Sequence, residues 1–405
     1  MRYALKKERA QLFSPAAMIS LKLDIAGCND AAVMRRAIRE VLRANSLMCT
    51  HIVISPEGDA YFESLDEPNC PILIKHEEWR QLLAESERRP FDLAEGELAR
   101  FFIIPGAPMQ LLICAHRLIG AGLSLMQLAG DIMAALNGEV IEPRGIELCD
   151  PEQLPGALPL SVQLNIRMVN LRWQFGKRVF DFRDMKRLND VYPQSDATIH
   201  KRVIDHSGDP LRICASAASA LMSLSGGAES GVTLIYEGGK ACLGDFSREI
   251  VIGDTYDSEY GVRRNVDLLM TELGSLLQDT DKLNYSTKYL SSFMPTLIDA
   301  SYFAAYDGYG DPIARRLSQM RGMSDRARRV EIHMPPTDAL LRVSGECSIV
   351  GCAVIPPLSP GARRTLGIAI LPDRATLILR TPADDQIHDS REVLSAIADA
   401  ICGEG

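Results

Sequence analysis

The sequence predicts an α/β protein made of two similar halves joined by a linker. Three observations predict it. The chain has 405 residues, enough for two or three domains at roughly 100–200 residues each. Strand and helix patterns alternate along both halves. A proline-rich stretch, Pro143 to Pro159, lies between them. Apolar residues make up 46% and charged residues 24%, a globular balance that excludes a long disordered chain.

The charge balance narrows the function classes. Asp and Glu number 53 against 44 Lys and Arg, a formal charge of -9, whereas phosphate binding needs a basic face. The 11 Phe, 11 Tyr and 2 Trp are too scattered to stack bases, so nucleic acid is not the expected partner. Ten cysteines show no Cys-x-x-Cys pair and no zinc-ligand spacing. They read as reduced, mostly buried thiols of a cytoplasmic protein without a metal. Residues 1–9 carry positive charge but lead into no apolar signal region, and no apolar run nears the roughly 18 residues that span a bilayer. The expectation is an intracellular, monomeric or weakly associating chain.

The elements follow in order. Met18 to Ile25 alternates apolar and polar residues, as a half-buried strand does. Asn29 or Asp30 caps a helix with an apolar stripe at Val33, Ala37, Ile38, Val41 and Leu42. Cys49 to Ile54 and Ala60 to Phe62 read as paired strands around Ser55-Pro56-Glu57-Gly58-Asp59. A helix at Glu77 to Glu87 leads to the turn Pro90-Phe91-Asp92-Leu93 and the strand Phe101 to Ile104. The strand Gln110 to Cys114 runs into Ala115-His116-Arg117-Leu118-Ile119-Gly120-Ala121-Gly122, and Leu123 to Leu136 is a helix. Beyond the linker, Asp209 to Leu224 and Asn265 to Gln278 read as helices and Val232 to Tyr236 as a strand. Thr365 to Leu371 and Ala375 to Leu379 form a hairpin, and Ser390 to Ile401 a closing helix.

The strand-to-helix turn at 110–136 carries the functional signal. A His at the end of a sheet, before a glycine-rich turn, can sit at the mouth of a cleft and act as general base, typically worth about 100- to 10,000-fold in rate. A lone His after an apolar strand is also commonly a satisfied core or turn residue.

The segment Leu112-Ile113-Cys114-Ala115-His116-Arg117-Leu118-Ile119-Gly120-Ala121-Gly122 resembles the His-His-x-x-x-Asp-Gly motif of nonribosomal peptide synthetase condensation domains. Their superfamily includes CoA-dependent and alcohol acyltransferases. Other stretches share the resemblance. The helix 33–44 with Asn45-Ser46-Leu47-Met48 sits where such proteins carry a helix, His-Pro-x-Leu-Arg and a strand. Pro90 to Arg100 is similar to their Pro-Phe-Asp-Leu turn, and Leu136-Asn137-Gly138 to the Tyr-x-Gly that closes the motif helix. The resemblance is good over residues 1–140 and loose thereafter. Gly239 to Arg248 is the candidate crossing loop, and the family's late Asp-Phe-Gly-Trp-Gly segment has no counterpart.

The resemblance implies two chloramphenicol-acetyltransferase-like halves, V-shaped, with a tunnel at their junction: residues 1–150, a linker at 151–165, and residues 166–405. It implies acyl transfer to an amine or alcohol from a thioester of CoA or of a carrier protein's phosphopantetheine, with no tightly bound cofactor. Its partners would be that acyl donor and a small-molecule acceptor.

The departures matter as much. Aligned without gaps, His116 takes the first His position, Arg117 the second and catalytic one, Ala121 the Asp and Gly122 the Gly. Guanidinium stays protonated and cannot serve as a base. A one-residue shift makes His116 catalytic but puts Gly120 at the Asp position. Two readings follow. In the enzyme reading, His116 reaches the tunnel and deprotonates the acceptor, while Ser124 or backbone amides of the Gly120–Gly122 turn stabilise the oxyanion. In the binding reading the site is degenerate and the scaffold recruits a protein partner. It would then be similar to the noncatalytic condensation-like domains of glycopeptide synthetases, which carry His-Arg and dock oxygenases.

Other signals are weaker. Arg315, Arg316, Arg321, Arg326, Arg328 and Arg329 form either a phosphate reader or a solvated face. Tyr302, Tyr306 and Tyr309 read either as channel-lining residues or, the favoured reading, as core and turn aromatics, and His51 as a surface or cleft residue without an identifiable partner. His333, before two prolines, has the option of facing the cleft. No Gly-x-Ser-x-Gly elbow occurs.

Overall fold

Strands that pack on both faces read as near-continuous apolar runs, and such runs build two of the three sheets here. The computed structural model describes residues 1–192, 197–205, 208–224, 231–237, 242–323, 329–334, 345–358, 362–382 and 389–403. Within them the strands are β1 (Arg2–Ala4), β2 (Met18–Ala26), β3 (Thr50–Ile54), β4 (Ala60–Ser64), β5 (Ile72–Ile74), β6 (Ala99–Ile104), β7 (Met109–His116), β8 (Ala197–Ile204), β9 (Val232–Glu237), β10 (Ser247–Ile252), β11 (Arg329–Met334), β12 (Ser348–Ile355), β13 (Ala362–Leu371) and β14 (Arg374–Pro382). The helices are α1 (Arg9–Leu12), α2 (Ala31–Ala44), α3 (Trp79–Arg88), α4 (Gly122–Leu136), α5 (Leu160–Gln174), α6 (Phe182–Val191), α7 (Pro210–Leu224), α8 (Val262–Gln278), α9 (Thr280–Ser291), α10 (Pro295–Tyr306), α11 (Pro312–Met320) and α12 (Ser390–Cys402).

The first half is built on a five-stranded sheet of order β12-β2-β7-β6-β5, beside a small sheet of order β1-β4-β3. The strand at 18–26 is buried more completely than its alternation implies, because it is paired on both sides: Ser20 and Lys22 are buried along with Ile19, Leu21 and Leu23. Lys22 is neutralised by its ion pair with Asp24. Helix α2 starts where the sequence places its cap, Asp30 accepting from the Ala32 N–H at 2.7 Å.

The second half is a six-stranded sheet of order β10-β9-β11-β13-β14-β8, with β9, β11 and β13 parallel. Its apolar face packs with α7, α8 and α12 into a second core. The helices read at 209–224, 265–278 and 390–401, and the 365–379 hairpin, all form near those bounds. The helical layer at 160–191 and 280–320 packs instead into the first core, through Ile166, Trp173, Phe180, Leu297, Phe303 and Leu317. Helix α5 begins at Leu160, inside the stretch read as linker. Tyr302 is buried with its hydroxyl on the Ala10 carbonyl, 2.5 Å, and Arg321 lies over its ring, so these groups serve packing. Arg326 and Arg328 lie outside the described residues.

The halves are stitched by chain that crosses between them. Strand β12, from late in the sequence, pairs antiparallel with β2 of the first sheet. Gly367 of β13 makes the approach of β12 feasible, since a Cβ there would lie 2.3 Å from the Val354 carbonyl oxygen. Arg380 of β14 reaches Glu87 of α3 at 2.7 Å, an ion pair almost entirely buried. Burial pushes the Glu87 carboxyl up, and the Arg380 charge opposes that rise.

Candidate functional site

The motif turn begins where β7 ends, and the turn geometry sends its two candidate groups in different directions. His116 pairs with Met18 across the sheet, and its imidazole Nδ1 accepts the Leu118 N–H at 3.2 Å, which leaves the ring proton on Nε2. Phe91 of the Pro-Phe-Asp-Leu turn meets it edge-on, ring centroids 5.7 Å apart. That turn is itself fixed. Arg100 donates to the carbonyls of Ser86, Arg89 and Pro90, pairs with Glu97 at 2.7 Å and lies over the Phe91 ring. His116 lines a cavity of about 260 Å³ whose wall comes from residues 12–18, 86–93 and α6. Burial, with the Arg117 and Arg100 charges, pushes the imidazole down to about 3.

Arg117 opens into another cavity, about 80 Å³, with Lys7, Gln11, Asp245, Ser247 and Glu249. Here the first half meets residues 242–249, which overlap the crossing loop read at 239–248 and enter β10 at Ser247; residues 239–241 of that loop lie outside the described set. Lys7 Nζ donates to Asp245 Oδ1 at 2.9 Å, to Ser247 Oγ at 3.2 Å and to both their carbonyls. Although burial alone would raise the Asp245 carboxyl, Lys7 and Arg117 hold it down to about 2. Glu8, fully buried nearby, is driven the other way, to about 7, by burial and by Asp245. The two acids are therefore pushed in opposite directions, Asp245 toward its ionised form and Glu8 toward its neutral one.

The glycine-rich turn serves the same junction. Gly120 has φ +126°, and a Cβ on it would lie 2.0 Å from Ser124 Oγ and 2.8 Å from the Gly244 carbonyl oxygen. Ser124 Oγ donates to that carbonyl at 3.1 Å, and the Gly244 N–H donates to Ile119 O at 2.8 Å. The Gly120 N–H is taken by the Arg117 carbonyl. Two of the expected oxyanion donors, Ser124 Oγ and the Gly120 amide, thus already have acceptors. Ala121 and Gly122 are buried at the start of α4, Ala121 supplying no side-chain cap. Asn137, in the turn that closes this helix, bonds the Cys347 backbone through both amide atoms, at 3.0 and 3.1 Å, a further tie to late chain.

Sequence reasoning left one group unassigned. On β11, Val330 and Ile332 face the second core while Glu331 and His333 take the other face, and the register sets Glu331 beside Thr233 and Thr365. His333 Nε2 is 3.6 Å from Glu331, both ring nitrogens lack a hydrogen-bond partner among the described residues, and the Arg117 charge acts on the ring. Burial pushes this imidazole down, against the opposing pull of Glu331. The signal was the i, i+2 spacing of Glu331 and His333 in a short β run. His51, read as partnerless, bonds the Ala94 carbonyl through Nδ1 at 2.8 Å and lies 3.4 Å from Glu63. Among the described residues no His, Cys, Asp and Glu cluster could hold a metal ion, and no helix is long and apolar enough to cross a membrane.

Solved structures similar to this one include condensation domains. The first condensation domain of the CDA synthetase matches with a TM-score of 0.61 at 11% identity, over 99% of this chain and 96% of that one. The condensation domain of the Monacolin K polyketide synthase gives 0.59 at 11%, over 99% and 96%. The starter condensation domain of rhizomide synthetase, a double mutant in complex with C8-CoA and Leu-SNAC, gives 0.61 at 12%, over 99% and 93%. The chain has the condensation-domain fold. No family model matches the sequence, and no curated relative is found by it. The likeness is carried by architecture: two lobes of mixed α/β structure, with the His116–Gly122 turn at the end of a first-half strand.

Proposed function

We propose that this chain is a condensation-like protein whose motif turn locks the two halves together instead of abstracting a proton, and that it binds a partner without turning over a thioester. The carrying observation is the exchange of environments at the motif. His116 is buried on the first half with its basicity suppressed to about 3, and the permanently charged Arg117 takes the junction beside Asp245. A base so far below neutral pH takes up a proton poorly, and a guanidinium does not take one up at all.

The test is thiol release from octanoyl-CoA and from an octanoyl-loaded carrier protein, across amine and alcohol acceptors. The expected result is a rate equal to that of buffer. Turnover abolished by His116→Ala would overturn the proposal and restore the general-base reading.

A second reading is favoured by His333. An acyl transfer that survived His116→Ala but failed in His333→Ala would place the base on β11, where an imidazole beside Glu331 supports proton abstraction. In that reading CoA or phosphopantetheine carries the acyl group, and an amine or alcohol receives it.

A further inference from the structure

Helix α5 is apolar on two opposite faces, and the fold covers one of them. Ile166 and Trp173 are buried, with Val162 and Val169 beside them, and Trp173 anchors the helix through its indole N–H to Thr296 Oγ1 at 2.9 Å. On the far side Leu160, Leu164, Met168, Leu171 and the capping Phe175 are all exposed, from 50% at Leu171 to 94% at Phe175. The last four positions, 164, 168, 171 and 175, follow the 4-3-4 spacing that fits knobs into a facing helix. A solvated helix normally puts charge there, so five large apolar side chains in one line mark a docking face.

Charge says what covers it. No acidic residue lies between Glu152 and Asp181, whereas Arg167, Arg172, Lys177 and Arg178 do, in a chain whose formal charge is -9. Arg167 and Arg172 flank the apolar line on its two sides and, among the described residues, have no ion-pair partner. A second copy packed face to face would set arginine against arginine, because a two-fold interface repeats the same patch. An anionic bilayer would be opposed by the net charge of the rest of the chain.

We infer that the exposed face of α5 docks an amphipathic helix of a partner protein, apolar along its seam and acidic on its flanks. The surface is apart from the motif turn, so its occupancy is tested independently of thioester chemistry. The probe is a synthetic three-heptad peptide with Leu at a and d and Glu at e and g, kept monomeric at neutral pH by its own charge. Binding to the full chain is read by fluorescence anisotropy.

The expected result is saturable binding with a Kd of about 10 μM. Met168→Glu with Leu171→Glu should weaken it at least tenfold, Arg167→Glu with Arg172→Glu should weaken it similarly, and a Lys-flanked peptide should bind at least tenfold more weakly. All substituted positions are exposed, and unchanged thermal unfolding of each variant shows that folding is preserved. The inference is overturned by absence of binding, by equal affinity for the Glu and Lys peptides, or by binding that the α5 variants leave intact. Two results in the peptide's place would also overturn it: a dimer abolished by the α5 variants, meaning a second copy, or α5-dependent binding to phosphatidylserine vesicles, meaning a membrane.

Discussion

His116 and Arg117 are neighbours in sequence and occupy opposite environments. One faces a pocket walled by residues 12–18, 86–93 and α6, edge-on to Phe91, where burial suppresses its charge. The other faces a polar seam made with residues from far along the chain, where its charge is used to hold Asp245 ionised. The step of one residue at a strand end reverses side-chain direction, so the residue that reaches the junction is decided by register. A motif match that is one residue out therefore exchanges a titratable group for a permanent cation.

The comparison breaks most severely at Asp245. Asp245→Ala leaves the Lys7 and Arg117 charges in the junction without their shared anion, and an unfolding midpoint shift equivalent to about 3–5 kcal/mol is expected from urea titration. Gly120→Ala comes next. Positive φ and the clash with Ser124 and the Gly244 carbonyl should cost roughly 2–3 kcal/mol, measured in the same way.

The His116 side is sharpened by pH. Its folded value, about 3, lies below the ordinary 6.5, so the unfolded chain takes up the proton first as pH falls. The stability held by the neutral imidazole is complete above pH 6.5 and is lost progressively toward pH 3. In that window the native protein should lose up to about 1.4 kcal/mol per pH unit more than His116→Phe, a difference read from denaturant midpoints at pH 4, 5 and 6. Ser124→Ala is the smallest change. It removes one hydrogen bond to Gly244 and should cost about 1 kcal/mol by thermal unfolding.

Much of the first half was legible in the sequence because its signals are local. The Asp30 cap, the strands flanking Gly58 and the glycine-rich entry to α4 need only a few neighbouring residues to be read. The junction was not, because its parts are remote. Lys7 and Asp245 are 238 residues apart, and β12 pairs with a strand from the first 26 residues. Helix α5 escaped notice for another reason: apolar residues on two opposite faces blur the single stripe by which an amphipathic helix is recognised. The motif was found by its wording, but which of its side chains meets the second half depends on β7 register and on Gly244 packing against the turn.

The most direct measurement is the titration of the His116 imidazole by NMR in histidine-labelled protein, its resonance assigned by comparison with His116→Phe. The account predicts a neutral ring with the proton on Nε2 down to pH 4, consistent with a value of about 3. An imidazole that titrates at 6.5 or above, or that shifts when octanoyl-CoA is added, would contradict it and return His116 to the role of general base.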